Sequence, residues 1–253
     1  MVFIKNIIAW LLPLVVGLIF ELILIWPQYF NLLVLLLILT IIILYAYLVD
    51  WRANWQKIFF TWLILLLVLG GVIFLSITSQ GLWQQIIVLL IVLSVALFTR
   101  NVFLYFHQPK KYQPFALENL VNYLQILAFF FLFSGLLVLT GLLRWPIWLF
   151  SIIILTMVTL SVWQNYWLKQ LSLKLVWPGI AIIGLLMTEL YWVIQFLPTS
   201  FNIGGFLLSL SYFLMVDFSK HIFLQDIKIS YLKRWIVFSG LLLLIVFLTT
   251  RWR

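Results

Sequence analysis

Residues 30–77 read FNLLVLLLILTIIILYAYLV-DWRANWQK-IFFTWLILLLVLGGVIFLSI, and this stretch decides the fold. It contains two long apolar runs, 30–49 and 58–77, with no charged residue in either. The short segment between them contains Asp50, Arg52 and Lys57. An apolar run of about 20 residues is long enough to cross the hydrocarbon core of a bilayer as a helix. The stretch therefore predicts two membrane-spanning helices joined by a short basic loop.

Composition excludes a water-soluble domain. Hydrophobic residues make up 66% of the chain, charged residues only 8%, and the mean hydropathy is +1.24, whereas soluble domains are about 25% charged. The net charge of +9 resides in short gaps between apolar runs. We therefore expect anionic lipid headgroups at the cytoplasmic face, and no nucleic acid, as its partners. The absence of cysteine excludes a disulfide, a thiolate nucleophile and a Cys-ligated metal centre.

The apolar runs predict an all-α polytopic membrane protein, because backbone polar groups in lipid must be hydrogen-bonded within their own segment. We interpret the first run as an uncleaved helix, since no small-residue cleavage site follows it. No Asn begins an Asn-x-Ser/Thr sequon, which favours a prokaryotic plasma (inner) membrane. The nine predicted spans are 7–25, 30–49, 58–77, 82–99, 120–140, 146–166, 175–197, 202–219 and 234–250.

Basic residues predict the orientation of these spans, because Lys and Arg close to span ends are retained on the cytoplasmic side. Twelve of the fifteen fall before the first span or in every second gap. The alternation predicts a cytoplasmic N-terminus and an outer C-terminus. The twelve inner residues are Lys5, Arg52, Lys57, Arg100, Lys110, Lys111, Lys169, Lys174, Lys220, Lys228, Lys233 and Arg234, and the three outer ones are Arg144, Arg251 and Arg253.

Similar segments recur along the chain and predict a tandem duplication. Residues 51–57 and 163–169 share the pattern Trp-x3-Trp-x-Lys, and residues 98–104 resemble residues 218–224. Trp-Pro pairs at 26–27 and 145–146 mark the start of each copy. A single transmembrane domain, 1–253, would then comprise a first helix, 1–26, and two parallel four-helix repeats, 27–145 and 146–253. The chance alternative is that aromatic and basic residues crowd every inner boundary.

Glycines in the outward-running spans follow a second pattern. Small residues let helix backbones approach closely, which matters because lipid provides no hydrophobic drive for helices to associate. We expect a packing role, with a hinge or pore lining as the alternative. These glycines are Gly17, Gly71, Gly135, Gly184 and Gly240.

Two carboxylates fall inside predicted spans, and intramembrane ionisable residues are functional candidates by default. Glu189 is the deeper one and has Thr188 beside it, and Glu21 lies nearer the outer boundary. Together they could form a proton or cation site, with Arg144 as a counter-charge. The alternatives are an interhelical hydrogen bond for Glu189 and a side chain that reaches the headgroups for Glu21.

A second candidate cluster lies at the cytoplasmic boundary. Asp217 and His221 are four residues apart, hence on one helical face, Asp226 follows, and His107 occupies the corresponding part of the other long loop. Asp and His can ligate a divalent metal, but a site needs three or four protein ligands. An ion pair at headgroup level is the favoured interpretation, so we expect no metal, cofactor or catalytic residue.

Three function classes remain. A membrane-embedded structural or assembly subunit, with other membrane proteins as partners, is favoured because the spans contain few polar groups and the chain has no recognisable catalytic motif. A transporter or flippase for an apolar or lipid-linked substrate is the alternative, and it requires a cavity lined by Glu189. An intramembrane lipid-modifying enzyme would require the inner Asp and His residues to converge.

Overall fold

A computed structural model describes residues 2–49, 58–78, 81–143, 146–169 and 171–223, together with Lys233, Val237, Gly240, Leu241, Leu244 and Leu248. These residues are almost entirely helical, and no β-strand occurs among them. The uncharged runs form helices because each backbone amide finds a carbonyl partner within its own segment. The α-helices are α1 Val2–Ile25, α2 Phe30–Val49, α3 Ile58–Ile77, α4 Leu82–His107, α5 Ala116–Leu143, α6 Ile147–Leu168, α7 Leu173–Phe196 and α8 Phe201–Phe223.

All eight of these helices are long and apolar enough to cross a membrane. The described chain is therefore all-helical and compatible with a polytopic integral membrane protein. The predicted ninth span, 234–250, lies outside the described residues apart from five single positions. Short 3-10 helices, Pro27–Tyr29 and Pro109–Lys111, precede α2 and α5.

Two helices continue well beyond the spans predicted for them, at the ends predicted to be cytoplasmic. Helix α4 runs to His107 instead of residue 99, and α8 runs to Phe223 instead of residue 219. Both extensions mix aromatic and aliphatic residues with a cation, as interfacial helical segments do. Hydropathy alone ends these spans earlier than the helices do, because Arg100 and Lys220 lower the hydropathy without interrupting the helix.

The chain forms two compact units, Met1–Ala128 and Phe129–Arg253, and the division falls within α5. The predicted repeats, 27–145 and 146–253, have a different boundary and remain a prediction. In the first unit, α1 packs along α4 and against α2, and α3 packs against α2 and α4. The buried Thr99 hydroxyl of α4 lies 3.0 Å from the carbonyl oxygen of Ala9 in α1 and joins the two helices near their predicted inner ends.

The core of the second unit includes aromatic residues of α5 and α8. The rings of Phe129 and Tyr212 lie 4.2 Å apart, and Phe133 stacks on Phe129 at 5.1 Å. Helix α7 packs against α6 and α8. The buried Tyr191 hydroxyl of α7 donates to the backbone oxygen of Leu136 in α5, at 3.3 Å, so that polar tip is satisfied inside the apolar core.

Glycines bring the helices of each unit close together. A Cβ at Gly17 would lie 3.1 Å from Val92 of α4, and one at Gly184 would lie 2.7 Å from Thr159 of α6. A Cβ at Gly71 would overlap the Ile91 side chain of α4. The packing role is confirmed at these three positions. Gly240 departs from the pattern, because it is exposed and a Cβ there would meet no described atom within 4 Å.

Candidate functional site

Glu189 lies on an exposed side of α7, seven residues before the helix ends at Phe196. At a rise of about 1.5 Å per residue, it is roughly 10 Å from that end. Among the described residues, none makes a hydrogen bond or ion pair with its carboxylate. The neighbouring Thr188 hydroxyl donates instead to the backbone oxygen of Gly184, at 2.8 Å. The interhelical hydrogen bond considered for Glu189 is therefore not formed by the described residues.

The residues around Glu189 form an apolar face that we call the α7 face. They recur every three or four residues, the spacing that places side chains on one side of a helix. Each is well exposed, with relative exposures from 41% to 77%. The carboxylate is thus the single ionisable group in a surface otherwise suited to lipid. The members of the α7 face are Ile182, Leu185, Leu186, Glu189, Val193 and Phe196.

Glu21 has a partner in the same unit. The Gln85 side chain of α4 donates its amide to the Glu21 carboxylate of α1, at 3.3 Å. Both side chains lie at the predicted outer ends of their helices, where α1 and α4 pack together. The alternative in which the Glu21 side chain reaches the headgroups does not include this contact with Gln85. The carboxylate polarises the Gln85 amide. Arg144, considered as a counter-charge, lies outside the described residues.

A cavity of about 750 Å³ opens beside Gln85 in the first unit. The ends of α1 and α3 and the beginnings of α2 and α4 form its walls. Its floor is apolar and buried, because Phe20, Val72 and Leu75 have at most 3% of their surface exposed. The rest of the lining is mixed, and its polar members are Ser76, Thr78, Gln84 and Gln85. An apolar chamber with a few convergent polar groups is the usual form of a small-molecule site.

The second unit has a smaller cavity at the corresponding ends of its helices. Its volume is about 370 Å³, and its polar lining residues are Thr140, Gln195, Thr199 and Ser200. Gln195 places a buried side-chain amide here, close to the Tyr191 hydroxyl. Glu189 lines neither cavity.

The inner Asp and His residues are only partly brought together. His221 Nε2 lies 3.9 Å from Asp217 Oδ2, so these two form the pair that the spacing predicts. His107 belongs to the first unit and stacks on Phe103 of its own helix, with ring centroids 5.3 Å apart. Asp226 lies outside the described residues. The described residues contain no group of three or more His, Asp or Glu side chains placed to hold a metal.

The structure also reveals a buried cation with two polar neighbours. We call this group the Lys220 cluster, and it consists of Lys220, Asn165 and Tyr212. Lys220 is 5% exposed, and its ammonium donates to Asn165 Oδ1 at 3.0 Å. Asn165 in turn donates to the Tyr212 hydroxyl at 3.3 Å, so the cluster connects α6 and α8. The sequence places Lys220 only among the twelve basic residues predicted to be on the inner side. The one available signal was Asn165, an amide near the end of a span.

The corresponding residue of the first unit behaves differently. Arg100 aligns with Lys220 in the predicted duplication, yet it is exposed and its guanidinium lies 4.9 Å from the ring centre of Trp10. The two cations therefore occupy opposite environments, one on the surface and one in a core.

No protein-family model, curated protein or solved structure matches the chain.

Proposed function

We propose that this protein is a membrane-embedded assembly subunit whose α7 face docks a transmembrane helix of another protein. One observation carries the proposal. Glu189 is exposed, unpaired among the described residues, and surrounded by side chains that otherwise suit lipid. A helix laid against this face would bury the apolar residues and supply a partner for the carboxylate.

Energetics favour a partner with a cationic or donor side chain. A carboxylate at the centre of a membrane helix costs about 2.5–3.5 kcal/mol on insertion scales, and less near the interface. A facing Lys or Arg removes most of that cost, since a charge-assisted hydrogen bond in a low-dielectric medium is stronger than a neutral one. The partner is therefore expected to carry a basic residue roughly 10 Å from the outer end of its span.

A second copy of this chain is a poor fit for the same position. Its only outer-side cations by sequence are Arg144, Arg251 and Arg253, which flank the predicted spans. A symmetric contact at Glu189 would also bring two carboxylates together, and like charges destabilise a contact. The partner is thus more consistent with a different membrane protein.

The transporter alternative receives less support. It requires Glu189 to line a cavity, whereas Glu189 is exposed on the α7 face and lines neither described cavity. The enzyme alternative has an Asp217–His221 pair and no third described ligand beside it. Both alternatives are weaker than assembly on these grounds.

The basic inner ends support a second part of the proposal, contact with anionic headgroups. Lys110 and Lys111 are exposed on the 3-10 helix before α5, and Lys174 is exposed in the first turn of α7. Each such cation near an anionic bilayer surface contributes about 1 kcal/mol. This attraction would hold the inner ends of the helices at the headgroup level.

Site-specific photo-crosslinking in native membranes tests the docking role. A photoreactive residue at Leu185 lies on the α7 face, eleven residues from the helix end, and one at Leu93 lies eleven residues from the start of α4. The two positions have similar exposure, 57% and 53%. We expect a discrete protein adduct from Leu185 and not from Leu93, and a severalfold lower yield when Glu189→Gln is added.

Three results would count against the proposal. Equal adducts from both positions would indicate non-specific neighbours. An adduct unaffected by Glu189→Gln would remove the role of the carboxylate. An adduct of two copies of this chain would replace the proposed partner with self-association.

A further inference from the structure

We propose that the cavity of the first unit binds a primary alkylammonium group, the chemistry found in the ethanolamine headgroup of a phospholipid. This inference is independent of the docking role proposed for the α7 face. It rests on which hydrogen-bonding groups of the cavity are already used and which remain. The cavity is large enough for a lipid headgroup, since ligand sites are commonly about 300–1,000 Å³.

The hydrogen-bond donors of the cavity are largely occupied. The hydroxyls of Ser76 and Thr78 donate to carbonyl oxygens of their own helix, at 2.6 Å and 2.7 Å. The Gln84 amide nitrogen lies 3.2 Å from the carbonyl oxygen of Thr78, at the end of α3. The Gln85 amide nitrogen donates to Glu21, at 3.3 Å. The side chains of the walls therefore have few N–H or O–H groups left to offer a ligand, and the donors that remain are mainly backbone N–H groups at the start of α4.

The groups that remain are mainly acceptors. Each Gln side chain still has an amide oxygen, and each hydroxyl oxygen has lone pairs. The Glu21 carboxylate lies one hydrogen bond away from the cavity, through Gln85. No Lys or Arg lines the cavity among the described residues. The side chains of the cavity are consequently rich in hydrogen-bond acceptors, and a carboxylate lies close to them.

A primary ammonium matches both properties, because it has three N–H donors and a positive charge. A quaternary ammonium such as choline has the charge but no donor. A glycerol headgroup has hydroxyl donors but no positive charge. The apolar floor formed by Phe20, Val72 and Leu75 suits the carbon chain attached to the ammonium, and the anionic phosphate of a lipid would stay at the open mouth.

The test uses the full-length protein purified in detergent and follows its melting temperature during titration with short-chain lipids. A ligand that binds only the folded state raises the melting temperature in a dose-dependent way. We expect dihexanoyl phosphatidylethanolamine to raise it, and the choline and glycerol analogues to have much smaller effects. Hexylamine serves as a separate arm. A response to hexylamine shows that the ammonium with a short chain is sufficient, and a response to the lipid alone assigns the site to an aminophospholipid.

Variants locate the effect. Glu21→Gln removes the charge and Gln85→Leu removes an acceptor, so each should weaken the apparent affinity roughly tenfold, as expected for losing a hydrogen bond to a charged group. Glu118→Gln is the matched control, because it neutralises another carboxylate of the first unit, in the first turn of α5, that does not line the cavity, and it should leave the titration unchanged. Equal responses to the three lipids, no response to any probe, or full affinity in both cavity variants would overturn the proposal.

Discussion

The sharpest structural prediction concerns Gly205, where α8 meets α5. A Cβ at this position would lie 2.7 Å from the backbone nitrogen of Ser134 and 2.9 Å from its Cα. Both atoms belong to the α5 backbone, so a side-chain rotation cannot relieve the overlap, and the two helices must separate. Gly205→Ala is therefore expected to destabilise the second unit through overpacking rather than through loss of a contact.

The expected magnitude follows from two opposing effects. Overpacking a well-packed core costs about 1–3 kcal/mol, and Ala is up to about 1 kcal/mol better than Gly in a helix interior. Because the overlap is with backbone atoms, we take the upper part of the overpacking range, about 2–3 kcal/mol. A net loss of about 1–2 kcal/mol then remains, which lowers the melting temperature by roughly 2–8 °C in a chain of this size.

The assay is the fraction of monodisperse protein left after heating, read by fluorescence-detected size-exclusion chromatography. Gly141→Ala is the control, because this α5 glycine is exposed and a Cβ there would meet nothing within 4 Å. It should melt at or slightly above the wild-type temperature. A Gly205→Ala variant as stable as the Gly141→Ala variant would refute the close approach of α5 and α8.

Three further predictions test the topology, the buried polar groups and the inner loop. Because the chain has no cysteine, a single Cys at Lys111 should react with an impermeant maleimide only in inverted vesicles, and one at Ser200 only in right-side-out vesicles; the reverse result would invert the orientation. Asn165→Leu should lower the free energy of unfolding by about 1.5–3 kcal/mol, because it removes an acceptor of the buried Lys220 ammonium. Lys220→Met should cost less, because an apolar side chain of similar size can replace a buried ion. Equal losses of melting temperature in the two variants would contradict this asymmetry. Burial raises the pKa of Tyr112, so its contribution to stability is complete below about pH 10 and lost as the pH rises through the raised pKa. Tyr112→Phe should therefore flatten the alkaline part of the profile of stability against pH. An unchanged profile would remove Tyr112 as its cause.

Much of the helical layout is predictable because the apolar runs are long and sharply bounded. Helices α2 and α3 coincide with the spans 30–49 and 58–77, since Trp26-Pro27 precedes the first and the basic segment 50–57 separates the two. The predicted span 82–99 ends eight residues before α4 does, because Arg100 and Asn101 lower the hydropathy without interrupting the helix.

The environments of the polar side chains were not predictable by the same reasoning. A membrane helix is apolar on every side, so periodicity does not distinguish its lipid-facing side from its packed side. Glu189 could therefore be recognised as unusual, but its exposure came from the packing of α7 against α6 and α8. Lys220 had the position typical of an inner-boundary lysine, and only the tertiary structure shows that it is buried beside Asn165.

A charge-swap experiment measures the central claim, that Glu189 pairs with a basic residue of a partner helix. The partner is first identified from the Leu185 adduct, and its transmembrane Lys or Arg is then mutated. Glu189→Lys alone should abolish the adduct, and Glu189→Lys combined with the partner's basic residue changed to Glu should restore it. Restoration to near the wild-type yield is the predicted result. A Glu189→Lys chain that still forms the adduct, or a double swap that never restores it, would contradict the assembly role.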